Sequence, residues 1–151
     1  MADEWGVGEL VFDGDVLVHS DLPHARPEGL GGQSPSRDSP HRLVERLRSY
    51  FEGERDTFED VVIDLDGATE FQRAVTAALR AVPYGETVTY GELAALAGHP
   101  GAQRAAGTFC ARNRFGVIVP CHRVVAADGL GSYGSLGVSY KQRLLELEGV
   151  L

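Results

Sequence analysis

An α+β fold is predicted for this chain of 151 residues: a small N-terminal antiparallel sheet with one helix, then a mainly helical C-terminal half. Three observations predict it. An Asp-Gly pair lies between two apolar-rich runs near the N-terminus, capping boxes at Thr69-x-x-Gln72 and Thr89-x-x-Glu92 open helices farther along, and the charge changes sign near residue 67. The expected organisation is therefore two units, 1–67 and 68–151.

Glu9 to Phe12 and Asp15 to His19, joined at Asp13-Gly14, read as a β-hairpin. Ser20 to Asp38 turns to Pro, Gly, Ser and Arg without a period and reads as a loop. Ser39-Pro40 supplies an N-cap with proline at the first helical position, and Leu43, Val44, Leu47, Tyr50 and Phe51 make the apolar stripe of an amphipathic helix. Thr57 to Leu65, rich in Val, Ile and Phe, predicts a third strand. No chemistry is evident in this half, which is assigned a structural role.

The Thr69 box opens a helix whose face carries Phe71, Val75, Ala78, Leu79 and Val82 until Pro83 stops it. After a turn at Pro83-Tyr84-Gly85, the Thr89 box opens a short helix that ends at Gly98. Pro100 is expected in the first turn of the next helix, with Gly101 to Ala111 continuing it through Ala102, Ala105, Ala106 and Gly107. Two short helices across a tight turn fit either an ordinary helical hairpin or a helix-turn-helix. The small residues favour the second, because a face of Ala and Gly lets a helix approach DNA closely, with Arg104 projecting from it. Ser139-x-x-Gln142 is expected to cap a last helix that buries Leu144, Leu145 and Leu147 and ends at Gly149.

The chemistry centres on Val117-Ile118-Val119-Pro120-Cys121-His122-Arg123-Val124-Val125. Its β-branched runs predict a buried extended segment, and Pro120 cannot donate to a sheet, so Cys121 is expected where regular pairing stops. A buried structural cysteine is the commoner fate of a lone thiol. Proline before it and His-Arg after it point instead to a nucleophile whose proton a histidine can take. Gly129, Gly131, Gly134 and Gly137 form a loop with Ser132, Tyr133 and Ser135, either a surface loop or one that approaches a ligand closely.

Composition narrows the partners. No apolar run approaches the ~20 residues of a membrane span, and the acidic start Met1-Ala2-Asp3-Glu4 is unlike a signal peptide, so a cytoplasmic protein is expected. Two cysteines and scattered histidines exclude a disulfide framework and a cysteine-rich zinc site. The formal charge of −8 resolves into −10 for residues 1–67 and +2 for 68–151. His99 to Val125 carries Arg104, Arg112, Arg114 and Arg123 and no acid, which reads as either a solvated face or a phosphate-contacting surface.

Pro120-Cys121-His122-Arg123-Val124 resembles the active-site signature of the O6-alkylguanine-DNA alkyltransferases, and Pro83 to Tyr90 resembles that family's entry into its helix-turn-helix. The resemblance runs from about Phe71 to Gly149. It implies an RNase H-like N-terminal unit, a winged helix-turn-helix-like C-terminal domain and transfer of an alkyl group from guanine in double-stranded DNA irreversibly to Cys121, without cofactor or metal and by a monomer. It further implies that Asn113 braces the active-site turn and that Glu148 completes a relay of Cys121, water and His122. Tyr90 would contact guanine and push the phosphate, while Arg104 would fill the gap left by the flipped base. Thr89, Ala102, Ala105 and Gly107 would line the DNA, and Cys110, Val124, Tyr133 and Gly134 the base pocket. The chain departs from the family at Gly134-Ser135-Leu136-Gly137, one residue longer than usual before Lys141, and at Cys110, where larger apolar residues are usual. Two other classes remain open on the residues: a sensor module that binds alkylated DNA without transfer, against which the retained Cys121 counts, and a thiol-redox enzyme, against which the absence of a Cys-x-x-Cys pair counts.

Overall fold

The computed structural model describes residues 2–3, 5–24 and 41–151. A three-stranded antiparallel sheet is built from β1 (Ala2–Asp3), β2 (Gly6–Asp13) and β3 (Val16–His24), in that order, with β2 and β3 as the hairpin. Asp13 pairs with Val16, so the turn residues are Gly14 and Asp15, one position later than expected. Strand β3 also runs on through Ser20 to His24, where a loop was expected. The rest of that loop and the Ser39-Pro40 cap lie outside the described residues.

Helix α1 (His41–Phe51) buries the predicted stripe of Leu43, Val44, Leu47, Tyr50 and Phe51. Thr57 to Leu65 is not a strand. Phe58 takes a left-handed backbone (φ 53), and only Ile63 bridges Leu17, in parallel. Side chains hold this segment instead of a ladder: Arg46 pairs with Asp56 and Asp60, and Arg80 donates to the carbonyls of Phe58 and Val61.

Helix α2 (Glu70–Arg80) and helix α3 (Tyr90–Leu96) each begin with a complete capping box, on Thr69 and Thr89. Both satisfy amides that a helix start leaves unpaired. Strand β4 (Val88–Thr89) leads into α3 and pairs in parallel with β5 (Val124–Val125). At the end of α3, Gly98 donates to Ala95 O and His99 to Ala94 O, closing a Schellman turn. Helix α4 (Gln103–Ala111) starts later than expected, because Gly101 is left-handed (φ 87) and Pro100-Gly101 serve as the inter-helix turn. Helix α5 (Val138–Leu147) begins at Gly137 (φ 86), two residues before the expected Ser139 cap, and has no side-chain cap.

One apolar cluster holds the described chain together. It joins Trp5, Leu17, Leu47 and Phe51 from the N-terminal half to Val75, Leu93, Val119 and Leu144 from the C-terminal half. Two hydrogen bonds reinforce it, one between backbone groups, Ser20 N to Arg114 O at 2.8 Å, and one from the Tyr140 hydroxyl to Pro23 O at 2.6 Å. No helix among the described residues is long and apolar enough to cross a membrane.

Candidate active site

The segment before Cys121 is not extended. Val117 is left-handed at φ 69, a conformation that costs a β-branched residue roughly 1–3 kcal/mol and persists only where its surroundings impose it. Ile118 N then bonds Gly116 O and Val119 N bonds Phe115 O, both at 2.8 Å, folding the apolar run into a buried knot. Pro120 follows, and Cys121–Arg123 forms one turn of 3₁₀ helix before β5. The apolar residues read as strand-formers thus anchor a turn that holds three consecutive functional side chains.

Cys121 is buried, and its sulfur receives the Asn113 amide: Nδ2 lies 2.8 Å from Sγ and 2.9 Å from Val119 O, while Asn113 Oδ1 accepts from Phe115 N at 3.0 Å. Asn113 thus links the carbonyl of Val119 to the thiol itself. Burial pushes the Cys121 thiol well above its ordinary range, the neighbouring Cys110 adds to this, and the Asn113 bond acts in the opposite direction.

Behind the thiol lies a buried charge cluster. Glu148 caps the C-terminus of α5, where the helix dipole disfavours an anion, and it needs strong donors. It has five contacts: Arg123 Nε to Oε1 at 2.9 Å, Arg123 Nη2 to Oε2 at 3.0 Å, Gly85 N to Oε1 at 3.2 Å, the Tyr50 hydroxyl to Oε2 at 2.5 Å and His122 Nε2 to Oε2 at 2.7 Å. Burial opposes ionisation, but the bonds to His122 and Arg123 outweigh it and hold the carboxyl well below the usual range. A carboxylate can only accept, so the His122 proton sits on Nε2. Nδ1, buried and without a partner among the described residues, is then the ring nitrogen with a free lone pair. Burial lowers the imidazole pKa more than Glu148 raises it. Thiol and imidazole are accordingly both neutral at rest, and proton transfer must accompany any attack by sulfur.

A cavity of about 290 Å³ opens on Cys121, lined by Cys110, Asn113, Tyr133 and Gly134 on one side and by Ser20 and Leu22 of β3 on the other. Four predicted pocket or relay residues thus meet around the thiol. Val124 is fully buried in β5, and neither it nor Tyr90 lines this cavity. A larger cavity of about 580 Å³ lies between α2, α4 and residues 64–69 and does not reach Cys121. Chemistry, not size, selects the smaller one.

Tyr90 opens α3 beside the glycine loop, where a Cβ on Gly131 would stand 3.1 Å from its hydroxyl. Lys141 Nζ is 5.7 Å from the Tyr90 ring and bonds Ser132 O at 3.2 Å. Thr89 is spent on its cap; Arg104 and Ala105 are exposed on α4, Gly107 is half-buried against Tyr90, and Ala102 is half-buried just before the helix. Among the described residues no group of three or more His, Cys, Asp or Glu could hold a metal ion. Sequence reasoning missed Tyr50, Arg123 and Lys141 as parts of the site. A tyrosine on an otherwise wholly apolar stripe was the available signal, since a buried phenol needs a partner.

Comparison with known proteins places these features in context. The family described as 6-O-methylguanine DNA methyltransferase, DNA binding domain, matches residues 70–150. The methylated-DNA–protein-cysteine methyltransferase of Mycobacterium leprae is 48% identical over 147 residues, covering 94% of this chain and 87% of that protein. The protein of the same name from Mycolicibacterium paratuberculosis is 51% identical over 106 residues, 70% of this chain but only 62% of the relative's length. The crystal structure of Mycobacterium tuberculosis OGT in complex with DNA superposes with a TM-score of 0.80 at 40% identity, over 98% of this chain and 89% of that one.

Proposed function

Since the chain belongs to the 6-O-methylguanine DNA methyltransferase family, we propose that it repairs double-stranded DNA by direct reversal, moving the alkyl group of O6-alkylguanine onto Cys121. The observation that carries this is a buried thiol, held by Asn113 at the wall of a cavity and followed directly by His122 and Arg123, which both bond the buried Glu148.

In the reaction the sulfur attacks the alkyl carbon, the S–C bond forms as the C–O6 bond breaks, and the thiol proton passes to His122 Nδ1, directly or through a water. Guanine leaves through O6 as an anion and takes a proton at N1 from solvent, while the His122 imidazolium releases the thiol proton, so that proton in effect replaces the alkyl group on guanine and atoms and charges balance. Glu148 stabilises the imidazolium as the carboxylate of a triad does. A thioether is not displaced by water under mild conditions, so each molecule acts once. The target atom is inaccessible within a duplex, and extruding the base costs about a few kcal/mol. Arg104, exposed on α4, fills the gap; Tyr90 turns the phosphate; Thr89, Ala102, Ala105 and Gly107 lie along the DNA. Cys110, Tyr133 and Gly134, which line the cavity on Cys121, surround the extruded base, whereas Val124, fully buried in β5, does not reach it.

Residues 68–151 form the winged helix-turn-helix-like unit, a reading supported by the Ala126 to Gly129 bridge beyond α4. Residues 1–67 form the RNase H-like unit, supported by the β2–β3 hairpin and α1. The protein acts as a cytoplasmic monomer and needs no cofactor. Incubation with O6-benzylguanine followed by mass spectrometry tests the reading: one benzyl group on Cys121 is expected, and recovery of unmodified protein would favour a sensor that binds without transfer.

A further inference from the structure

We propose that Tyr50, on the N-terminal helix α1, is a positioning residue of the Cys121 site, its hydroxyl setting how strongly Glu148 can hold the His122 imidazolium. The proposal rests on the alkyl-transfer reading above and gives the N-terminal half a part in it.

Tyr50 is completely buried, and its hydroxyl donates to Glu148 Oε2 at 2.5 Å while lying 3.4 Å from His122 Nε2. Its ring is wedged edge-on among Phe51, Phe58 and Tyr84, with centroids 5.2, 6.0 and 6.1 Å away, so the hydroxyl has one place to point. Packing alone does not call for it. The other members of the α1 stripe are aliphatic or Phe, and a hydroxyl adds the cost of burying a polar group unless it is used. Nor does the ion pair call for it, because Arg123 already engages both Glu148 oxygens.

The oxygen Tyr50 occupies is the one bonded to His122, and that makes it a regulator of the relay. A donor at Oε2 draws carboxylate charge away from the imidazole, keeping His122 a weaker base that stays neutral and ready to accept the thiol proton. The other groups facing this cluster are Arg123 and Lys141, which both disfavour the imidazolium, Cys121 with Cys110 beyond it, the Gly85 amide, Tyr133, and Tyr84 with Arg55 over its ring. None of these touches Oε2 except Arg123.

The test compares full-length wild type with Tyr50→Phe in single-turnover reaction with free O6-benzylguanine across pH, alongside NMR titration of the His122 ring. Loss of the hydroxyl returns charge to Oε2, raises the pKa of His122 and moves the acid limb of the rate profile up by about one pH unit, a shift within what one hydrogen bond to a charged group can deliver. A ring-fluorinated tyrosine placed at position 50, a stronger donor of equal shape, moves it down. A uniform loss of rate at every pH with an unmoved limb would overturn the proposal and leave Tyr50 structural. Should Tyr50→Phe not fold, the fluorinated protein decides alone, and an unchanged limb overturns the proposal. Wild type that never forms a Cys121 thioether would sink the transfer reading instead, while the His122 titration would still report on Tyr50.

Discussion

Replacing Glu148 by Gln removes one negative charge from a cluster that depends on it. Arg123 is 5% exposed and bonds both carboxylate oxygens; without them its remaining acceptor among the described residues is Val82 O, at 2.8 Å. The glutamine amide offers one oxygen and turns an NH₂ group toward the other donors. Breaking a buried pair by removing one partner costs about 3–5 kcal/mol. For a domain of this size that corresponds to a fall in Tm of roughly 6–20 °C. The pH dependence carries a sign as well. Because the folded carboxyl titrates well below its unfolded value, its contribution is fully present above the unfolded pKa of about 4.3 and disappears as the pH falls toward the folded one. Urea melts at neutral pH and in acid therefore show a gap between wild type and Glu148→Gln that narrows on acidification. Alkyl transfer by the variant is also slower. A gap below about 1 kcal/mol at pH 7, the range of an exposed pair, or one that is the same in acid, would refute the reasoning.

Two further outcomes are expected. Asn113→Ala removes the amide 2.8 Å from Cys121 Sγ that holds the thiol pKa down, so that pKa rises further and the rate at pH 7 falls about tenfold or more, recovering as pH is raised; a loss that pH does not restore would contradict this. Arg104→Ala lowers repair of duplex DNA by about tenfold or more yet leaves reaction with the free base unchanged, since a free base needs no flipping; equal loss on both substrates would make Arg104 structural.

The boxes at Thr69 and Thr89 form as expected because a capping box is complete within four residues. The α1 stripe and the hairpin are likewise local patterns, and both are present. The Ser139 box does not form, since α5 starts from the left-handed Gly137, and Pro100-Gly101 is a turn; the two extended segments failed for another reason, tertiary contacts that overrode propensity. Val and Ile predicted a strand at 57–65 and a buried extended segment at 117–119, but Arg46 and Arg80 hold the first, and the second is folded over at Val117. At the site, Cys121 and His122 were legible from their own chemistry, and Asn113 and Glu148 through the resemblance alone. Tyr50 was not, because 98 residues separate it from Glu148 and nothing in α1 encodes that meeting.

The central claim is that Cys121 accepts an alkyl group from DNA once. Full-length protein titrated with a duplex containing O6-methylguanine, then weighed and mapped by peptide mass, tests it most directly. The expected product carries one methyl group per chain, on Cys121, with an equivalent amount of guanine restored in the DNA. Methyl on another residue, more than one per chain, or repaired DNA beside unmodified protein would contradict the account.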